Sequence, residues 1–137
     1  MTTLDENQRA VVAYGEQVWN VNVTSCGLVL GYGPNGVAAY HWPFMSDISE
    51  YFQIFQALVN QLDGGITRIE IYTNPIPGGS KLHYETTTRK IRDEFKVPTI
   101  HYIYGTSIRG VGVSVTVTRQ GGADVSPVVT ATFLDLP

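Results

Sequence analysis

A β-hairpin is indicated by residues 27–42, GLVLGYGPNGVAAYHW. Its two halves, GLVLGY and VAAYHW, are apolar and rich in branched and aromatic side chains, which favour strands. Between them, GPNG supplies residues that tolerate or preset the backbone of a tight turn. The pattern predicts two antiparallel strands joined by a loop at 33–36, with Pro34 and Asn35 at its centre.

The length of this loop sets which residues face each other. It pairs Leu28 with His41 and carries Cys26 opposite Pro43. Diagonal neighbours on one sheet face lie about 7–8 Å apart at Cα, so Cys26 and His41 are within reach of each other. A loop one residue longer or shorter would place the thiol and the imidazole on opposite faces of the sheet.

The segment before the hairpin, QVWNVNVT at 17–24, alternates like a half-buried strand. One predicted face carries Trp19, Val21 and Val23, and the polar face carries Asn20, Asn22 and Thr24. Counting on by two places Cys26, the single cysteine of the chain, on the polar face. This placement argues against a thiol that serves only as a small buried apolar group.

Beyond the hairpin, the pattern predicts a helix at 47–62, a strand at 66–73 and a helix at 85–95. Further strands are predicted at 99–104, 110–118 and 128–134. Hairpins at both ends require antiparallel pairs, so we expect an α+β fold: a mixed, mostly antiparallel sheet sandwich packed against two helices. No repeat or linker divides residues 1–137, which we expect to form a single domain.

Composition excludes several classes of protein. Apolar residues make up 43% and charged residues 15% of 137 residues, with a net charge of −3, so nothing indicates disorder or a nucleic-acid partner. One cysteine excludes an internal disulfide framework. The sequence has no signal-peptide pattern and no apolar run long enough for a membrane span. We expect a protein that is soluble and cytoplasmic where it is made; an effector delivered without a cleaved signal has the same features.

A thiol beside an imidazole suggests acyl-transfer chemistry. A thiolate stabilised by an imidazolium is much more acidic than a free thiol and attacks carbonyl carbon readily. His41 would then act as general acid and base. Backbone N–H groups around Ser25 and Gly27 are candidates for holding the oxyanion. Thr24, Asn22, Asn20 or a backbone carbonyl are the candidates for orienting His41.

The segment TSCGLVLGYGPNGVAAYHWPF, residues 24–44, resembles the thiol signature of the CheD chemoreceptor glutamine deamidases. It is also similar to the catalytic domains of cytotoxic necrotizing factor and Burkholderia lethal factor. The predicted order of elements over residues 18–120 is comparable with that of CheD. The resemblance implies that Cys26 is the nucleophile and His41 the general acid and base. CheD and the lethal factor have a threonine six residues before the cysteine, where this chain has Asn20.

The resemblance also implies an activity. A protein of this family hydrolyses a glutamine side-chain amide in a protein substrate through a thioester, releases ammonia and needs no cofactor. The CheD segment rich in Gly, Glu, Arg and Asn is not evident around GGSKLHYE at 78–85, which favours the toxin branch, whose targets are regulatory proteins of a host cell. The substrate and the oligomeric state stay open.

Other patterns in the sequence are compatible with other functions. GYGPNG matches a dinucleotide-binding pattern, but a strand follows it where a helix is required, so its glycines are assigned to the turn. His83 and His101 lack the spacing of metal ligands with His41, so no metal site is predicted. Arg109, in a loop, is a candidate substrate contact. Transglutamination or proteolysis by the same pair, and a non-enzymatic or toxin-neutralising binding module with the same fold, remain alternatives.

Overall fold

The computed structural model of the chain describes residues 2–20, 23, 26–44, 49–74, 81–103, 112–119, 124–126 and 132–135. These residues form ten strands and two helices. The strands are β1 (Thr2–Leu4), β2 (Arg9–Val12), β3 (Gln17–Asn20), β4 (Gly27–Tyr32), β5 (Val37–Trp42), β6 (Arg68–Thr73), β7 (Thr99–Ile103), β8 (Gly112–Thr116), β9 (Asp124–Ser126) and β10 (Thr132–Asp135). The helices are α1 (Ser49–Val59) and α2 (Lys81–Phe95).

The β4–β5 hairpin lies inside a six-stranded sheet of order β10-β7-β6-β4-β5-β2. Its turn is closed by the Gly33 N–H, which donates to the Gly36 carbonyl at 2.9 Å. Leu28 pairs with His41, so the register predicted from the turn is confirmed. Neighbouring strands in this sheet are antiparallel except β6 and β7, which are parallel.

A second sheet of order β1-β3-β8-β9 packs on one face of the first. The apolar layer between the two sheets includes Val18 and Val115 from the smaller sheet and Leu28 and Leu30 from the larger one. On the opposite face of the larger sheet, α1 and α2 cover a second apolar layer. The predicted α+β class, with mixed and mostly antiparallel sheets and two helices, is confirmed for the described residues.

Both helices differ from the predicted bounds. α1 ends at Val59, because the Leu62 N–H bonds to the Val59 carbonyl at 2.9 Å in a tighter turn. The positive φ angles of Gly64 and Gly65 then turn the chain away. α2 begins at Lys81 rather than at 85, because Tyr84 already belongs to the buried face of the helix.

The prediction for the two faces of β3 is wrong. Val18 and Asn20 point toward the larger sheet and are both 0% exposed. Trp19 lies on the outer face, where a Cβ at Gly112 would come within 2.5 Å of its ring. The bare backbone at Gly112 provides the surface that accommodates the indole, so this large apolar side chain does not need the interior.

Strands β1, β2 and β9 have no counterpart in the predicted order. Each has only three or four residues, which is too short for alternation to identify a strand. They add to the sheets through pairing with longer strands: β1 with β3, β2 with β5, and β9 with β8. Neither of the described helices combines the length and apolarity needed to cross a membrane.

Candidate active site

Cys26 and His41 lie at the same end of the β4–β5 hairpin. Cys26 immediately precedes β4, whose first pair joins Gly27 to Trp42. His41 is paired with Leu28, one residue along β5 from this first pair. Cys26 is 4% exposed and His41 is 2% exposed. Both residues are therefore buried at this end of the hairpin, with Cys26 just outside the paired ladder.

The expected polar face for Cys26 is wrong. β3 ends at Asn20 in the smaller sheet and β4 begins at Gly27 in the larger one, so alternation along β3 does not continue to Cys26. Between the sheets, the Val23 carbonyl accepts a hydrogen bond from the Asn74 N–H at 3.4 Å. The chain changes sheets here, and the packing around the start of β4 determines the environment of the thiol.

A backbone carbonyl orients the His41 ring. Nδ1 of His41 lies 3.0 Å from the carbonyl oxygen of Leu4, and because a carbonyl only accepts, Nδ1 carries the proton of the neutral ring. Nε2 is then the basic nitrogen. Asn20, one of the predicted orienting residues, pairs with Leu4 in the neighbouring strand and is buried between the same two sheets.

The backbone of His41 is held by an irregularity at the start of β2. The Asn7 N–H donates to the His41 carbonyl at 3.0 Å, and the His41 N–H donates to the Gln8 carbonyl at 2.9 Å. Two residues therefore oppose one, and Asn7 has a φ of 63°. These are the features of a β-bulge with a left-handed first residue.

Aromatic side chains surround the start of β4 on its helical side. Tyr84 of α2 stacks on Phe44 with the ring centroids 6.0 Å apart. Burial raises the pKa of Tyr84, and the nearby Cys26 thiol raises it further. Burial likewise raises the pKa of Tyr40, to which Cys26 makes one of the smaller contributions. Cys26 is therefore close to the packed rings that join the hairpin to α2.

The two backbone positions proposed for an oxyanion site have different outcomes. The N–H and the carbonyl of His41 both bond to Asn7 and Gln8, at the start of β2. Backbone groups point to alternate sides along a strand, so the N–H and the carbonyl of Trp42 point the other way, toward Gly27. The Gly27 N–H is thus directed at the Trp42 carbonyl and not at a ligand. Ser25, the other position, lies outside the described residues, as do Thr24 and Arg109.

A buried carboxylate lies on the same sheet face as His41. Glu70 is 3% exposed and accepts hydrogen bonds from the hydroxyls of Tyr32 at 2.5 Å and Tyr72 at 3.0 Å. Burial is the main cause that raises the pKa of both tyrosines, and the charge of Glu70 adds to it. Tyr102 stacks on Tyr72 with centroids 4.7 Å apart. Sequence reasoning missed this cluster, although a lone acidic residue in the apolar strand RIEIYT was a signal for it.

The remaining histidines do not join His41. His101 pairs with Ile71, whose side chain lies in the layer under the helices, whereas His41 faces the smaller sheet. Nε2 of His101 lies 2.6 Å from the Thr73 hydroxyl. The side chain of His83 lies outside the described set, and the described residues contain no group of three possible metal ligands.

A cleft of about 540 Å³ opens between β2 and α1. Its lining includes Arg9 and Val11 from the strand and Glu50 and Ile54 from the helix. Neither Cys26 nor His41 belongs to this lining, so the cleft is separate from the thiol.

Comparisons with protein-family models, with curated proteins and with solved structures found no match to this chain.

Proposed function

We propose that this chain is a cysteine-dependent protein glutamine deamidase of the kind that its sequence resembles, the CheD and necrotizing-factor group. The observation that carries the proposal is the arrangement of His41. The Leu4 carbonyl lies 3.0 Å from its Nδ1, and the hairpin register, continued one residue beyond its first pair of Gly27 with Trp42, would make it the diagonal neighbour of Cys26. A thiol, a histidine and a fixed carbonyl acceptor form the set that an activated cysteine nucleophile requires.

The reaction divides into two acyl transfers. The Cys26 thiolate attacks the side-chain carbonyl carbon of a glutamine, a C–S bond forms, and the C–N bond breaks as His41 gives its proton to the leaving ammonia. Nε2 of His41 then takes a proton from water, which attacks the thioester. Glutamate leaves and the thiol is restored. The Leu4 carbonyl stabilises the imidazolium that pairs with the thiolate before the first step and forms again when Nε2 takes the proton from water, because the Nδ1–H bond strengthens when the ring is charged.

The substrate that fits this proposal is a protein with an accessible glutamine, and the chemistry needs no metal or organic cofactor. The toxin branch of the resemblance places that glutamine in a regulatory protein of a target cell. Transglutamination and proteolysis use the same pair of residues. Mass spectrometry of a treated protein mixture separates the three, because deamidation converts an amide into an acid, transglutamination adds an amine, and proteolysis gives fragments.

The pair itself is tested without a substrate. We would measure the rate of Cys26 alkylation by iodoacetamide against pH in the wild type and in His41→Gln. The proposal expects a midpoint below about 8.5, the value of an ordinary thiol, and an upward shift in His41→Gln. His101→Gln removes another buried imidazole, on the face of the sheet that the helices cover, and a larger shift in His101→Gln than in His41→Gln would contradict the assignment of His41 as the partner of the thiol. A midpoint at or above 8.5 that is the same in all three proteins contradicts the proposal.

The second candidate is a non-enzymatic binding module. The 4% exposure of Cys26 favours it, because a covered thiol meets a protein substrate poorly. This candidate expects slow alkylation at every pH and full function in Cys26→Ser. The deamidase expects loss of glutamate formation in Cys26→Ser with the fold retained, so the same variant separates the two functions.

A further inference from the structure

Residues 4–8 contact His41 from three sides. The Leu4 carbonyl accepts from the ring, the Asn7 N–H donates to the His41 carbonyl, and the Gln8 carbonyl accepts from the His41 N–H. The segment therefore bonds both the ring and the backbone of a single residue. No pattern in the sequence between 4 and 8 relates it to His41.

The turn that carries these contacts is closed by its own hydrogen bonds. The Gln8 N–H donates to the Asp5 carbonyl at 2.9 Å, and the Asp5 N–H donates to the Gln8 side chain at 2.8 Å. Asn7 stands at the left-handed position with a φ of 63°, which asparagine adopts more readily than other residues with a side chain. This backbone conformation lets both Asn7 and Gln8 lie opposite His41, which is the extra residue of the bulge.

The Asn7 side chain adds a fourth contact. Its Oδ1 accepts a hydrogen bond from the Tyr40 hydroxyl at 2.6 Å. Tyr40 is the residue before His41, and its ring packs on Trp42 with centroids 5.4 Å apart. Asn7 thus restrains β5 at two adjacent residues, through its backbone at His41 and through its side chain at Tyr40.

We propose that the Asn7–Gln8 bulge is a positioning element for His41: the left-handed Asn7 sets the strand so that the His41 ring meets the Leu4 carbonyl. The inference rests on the proposed function, in which His41 is the acid and base, and Asn7 acts through His41 without touching the reacting atoms. The ordinary role of such a bulge is to protect a sheet edge, and β2 is an edge strand. A purely protective bulge would leave the state of the His41 ring unchanged when it is altered.

The test is the tautomer of His41, measured from the nitrogen chemical shifts of its ring in labelled protein. The variants are Asn7→Gly, which keeps the left-handed backbone, and Asn7→Ala, which disfavours it. We expect the Nδ1–H form to dominate in the wild type and in Asn7→Gly. In Asn7→Ala we expect its excess over the other tautomer to fall roughly five- to tenfold, the equivalent of one hydrogen bond.

Lys96 provides the matched control, because it is the other residue with a side chain and a positive φ among the described residues, at 56°. It follows α2, where its N–H bonds to the Arg92 carbonyl. Lys96→Ala imposes the same kind of backbone strain outside the bulge and the strands that hold His41, and we expect it to lower stability without changing the His41 tautomer. Tyr40→Phe tests the side-chain contact alone in a protein that keeps Asn7.

An unchanged His41 tautomer in Asn7→Ala, in protein that remains folded, overturns the inference. If Asn7→Ala does not fold, Asn7→Lys replaces it, because this chain accommodates a lysine at a positive φ at position 96: a fall in the excess of the Nδ1–H form relative to Asn7→Gly supports the inference, and equal tautomer ratios in the two variants overturn it. The readout does not depend on catalysis. If His41→Gln alkylates at Cys26 with the same pH dependence as the wild type, the proposed function fails. The His41 tautomer in the Asn7 variants would still report on the role of the bulge.

Discussion

Tyr32→Phe should destabilise the protein more than Tyr14→Phe does, because it removes a buried hydroxyl that donates to a carboxylate. The Tyr32 hydroxyl donates to the carboxylate of Glu70 at 2.5 Å, and both residues are buried between the two sheets. The Arg68 guanidinium lies 4.1 Å from the centre of the Tyr32 ring. The substitution removes the donor and leaves the ring, the cation and the carboxylate in place.

The expected loss is about 1.5–3 kcal/mol, because a hydrogen bond to a charged group is stronger than one between neutral groups, and Glu70 keeps one tyrosine donor at 3.0 Å. Tyr14→Phe is the matched control. Its hydroxyl donates to the Gly33 carbonyl at 2.6 Å, and Arg119 lies 4.4 Å from its ring centre, so it differs in having a neutral acceptor and in being only partly buried. We expect about 0.5–1.5 kcal/mol for the control.

Urea denaturation at neutral pH measures both variants, with the slope of free energy against urea as the check that the transition is unchanged. A loss in Tyr32→Phe that equals or falls below the loss in Tyr14→Phe would show that the buried carboxylate is not stabilised by this donor. The account of Glu70 as the centre of a two-tyrosine cluster would then fail.

Two further predictions follow from the same packing. The raised pKa values of Tyr32 and Tyr72 mean that the unfolded chain loses these protons first, so the contribution of these two tyrosines to stability is constant below about pH 10 and falls above it by up to about 1.4 kcal/mol per pH unit for each tyrosine. Urea midpoints between pH 9 and 11 should fall less steeply in Tyr72→Phe, and an equal slope would count against burial as the cause. Gly27→Ala should cost about 1–3 kcal/mol, because its Cβ would come within 2.8 Å of the buried Phe44 ring. In a Phe44→Leu background the cost should shrink, and an unchanged cost would mean that Phe44 is not the obstacle.

The local parts of this fold were predictable from the sequence. The turn at GPNG and the two apolar runs beside it specify a hairpin within sixteen residues, and its register was confirmed by the pairing of Leu28 with His41. The apolar spacing of the first helix was equally local. Such features depend on neighbours a few residues apart, whose geometry the chain imposes before any sheet is assembled.

The contacts of the candidate site were not local. The acceptor for His41 is a backbone carbonyl of Leu4, and any residue has such a carbonyl, so no letter in the sequence marks it. The bulge at Asn7 depends on the pairing of a four-residue strand with β5, and the burial of Cys26 depends on the chain passing from one sheet to the other after Asn20.

The sequence by itself determined the fold class and the hairpin register that pairs Leu28 with His41, because hairpin geometry follows from the turn. Only the tertiary structure decided which group orients the imidazole, which faces of β3 are buried, and that Glu70 lies between two sheets. These three features depend on how the two sheets stack and on which strands pair. They are stabilised by contacts between residues that are distant in the chain.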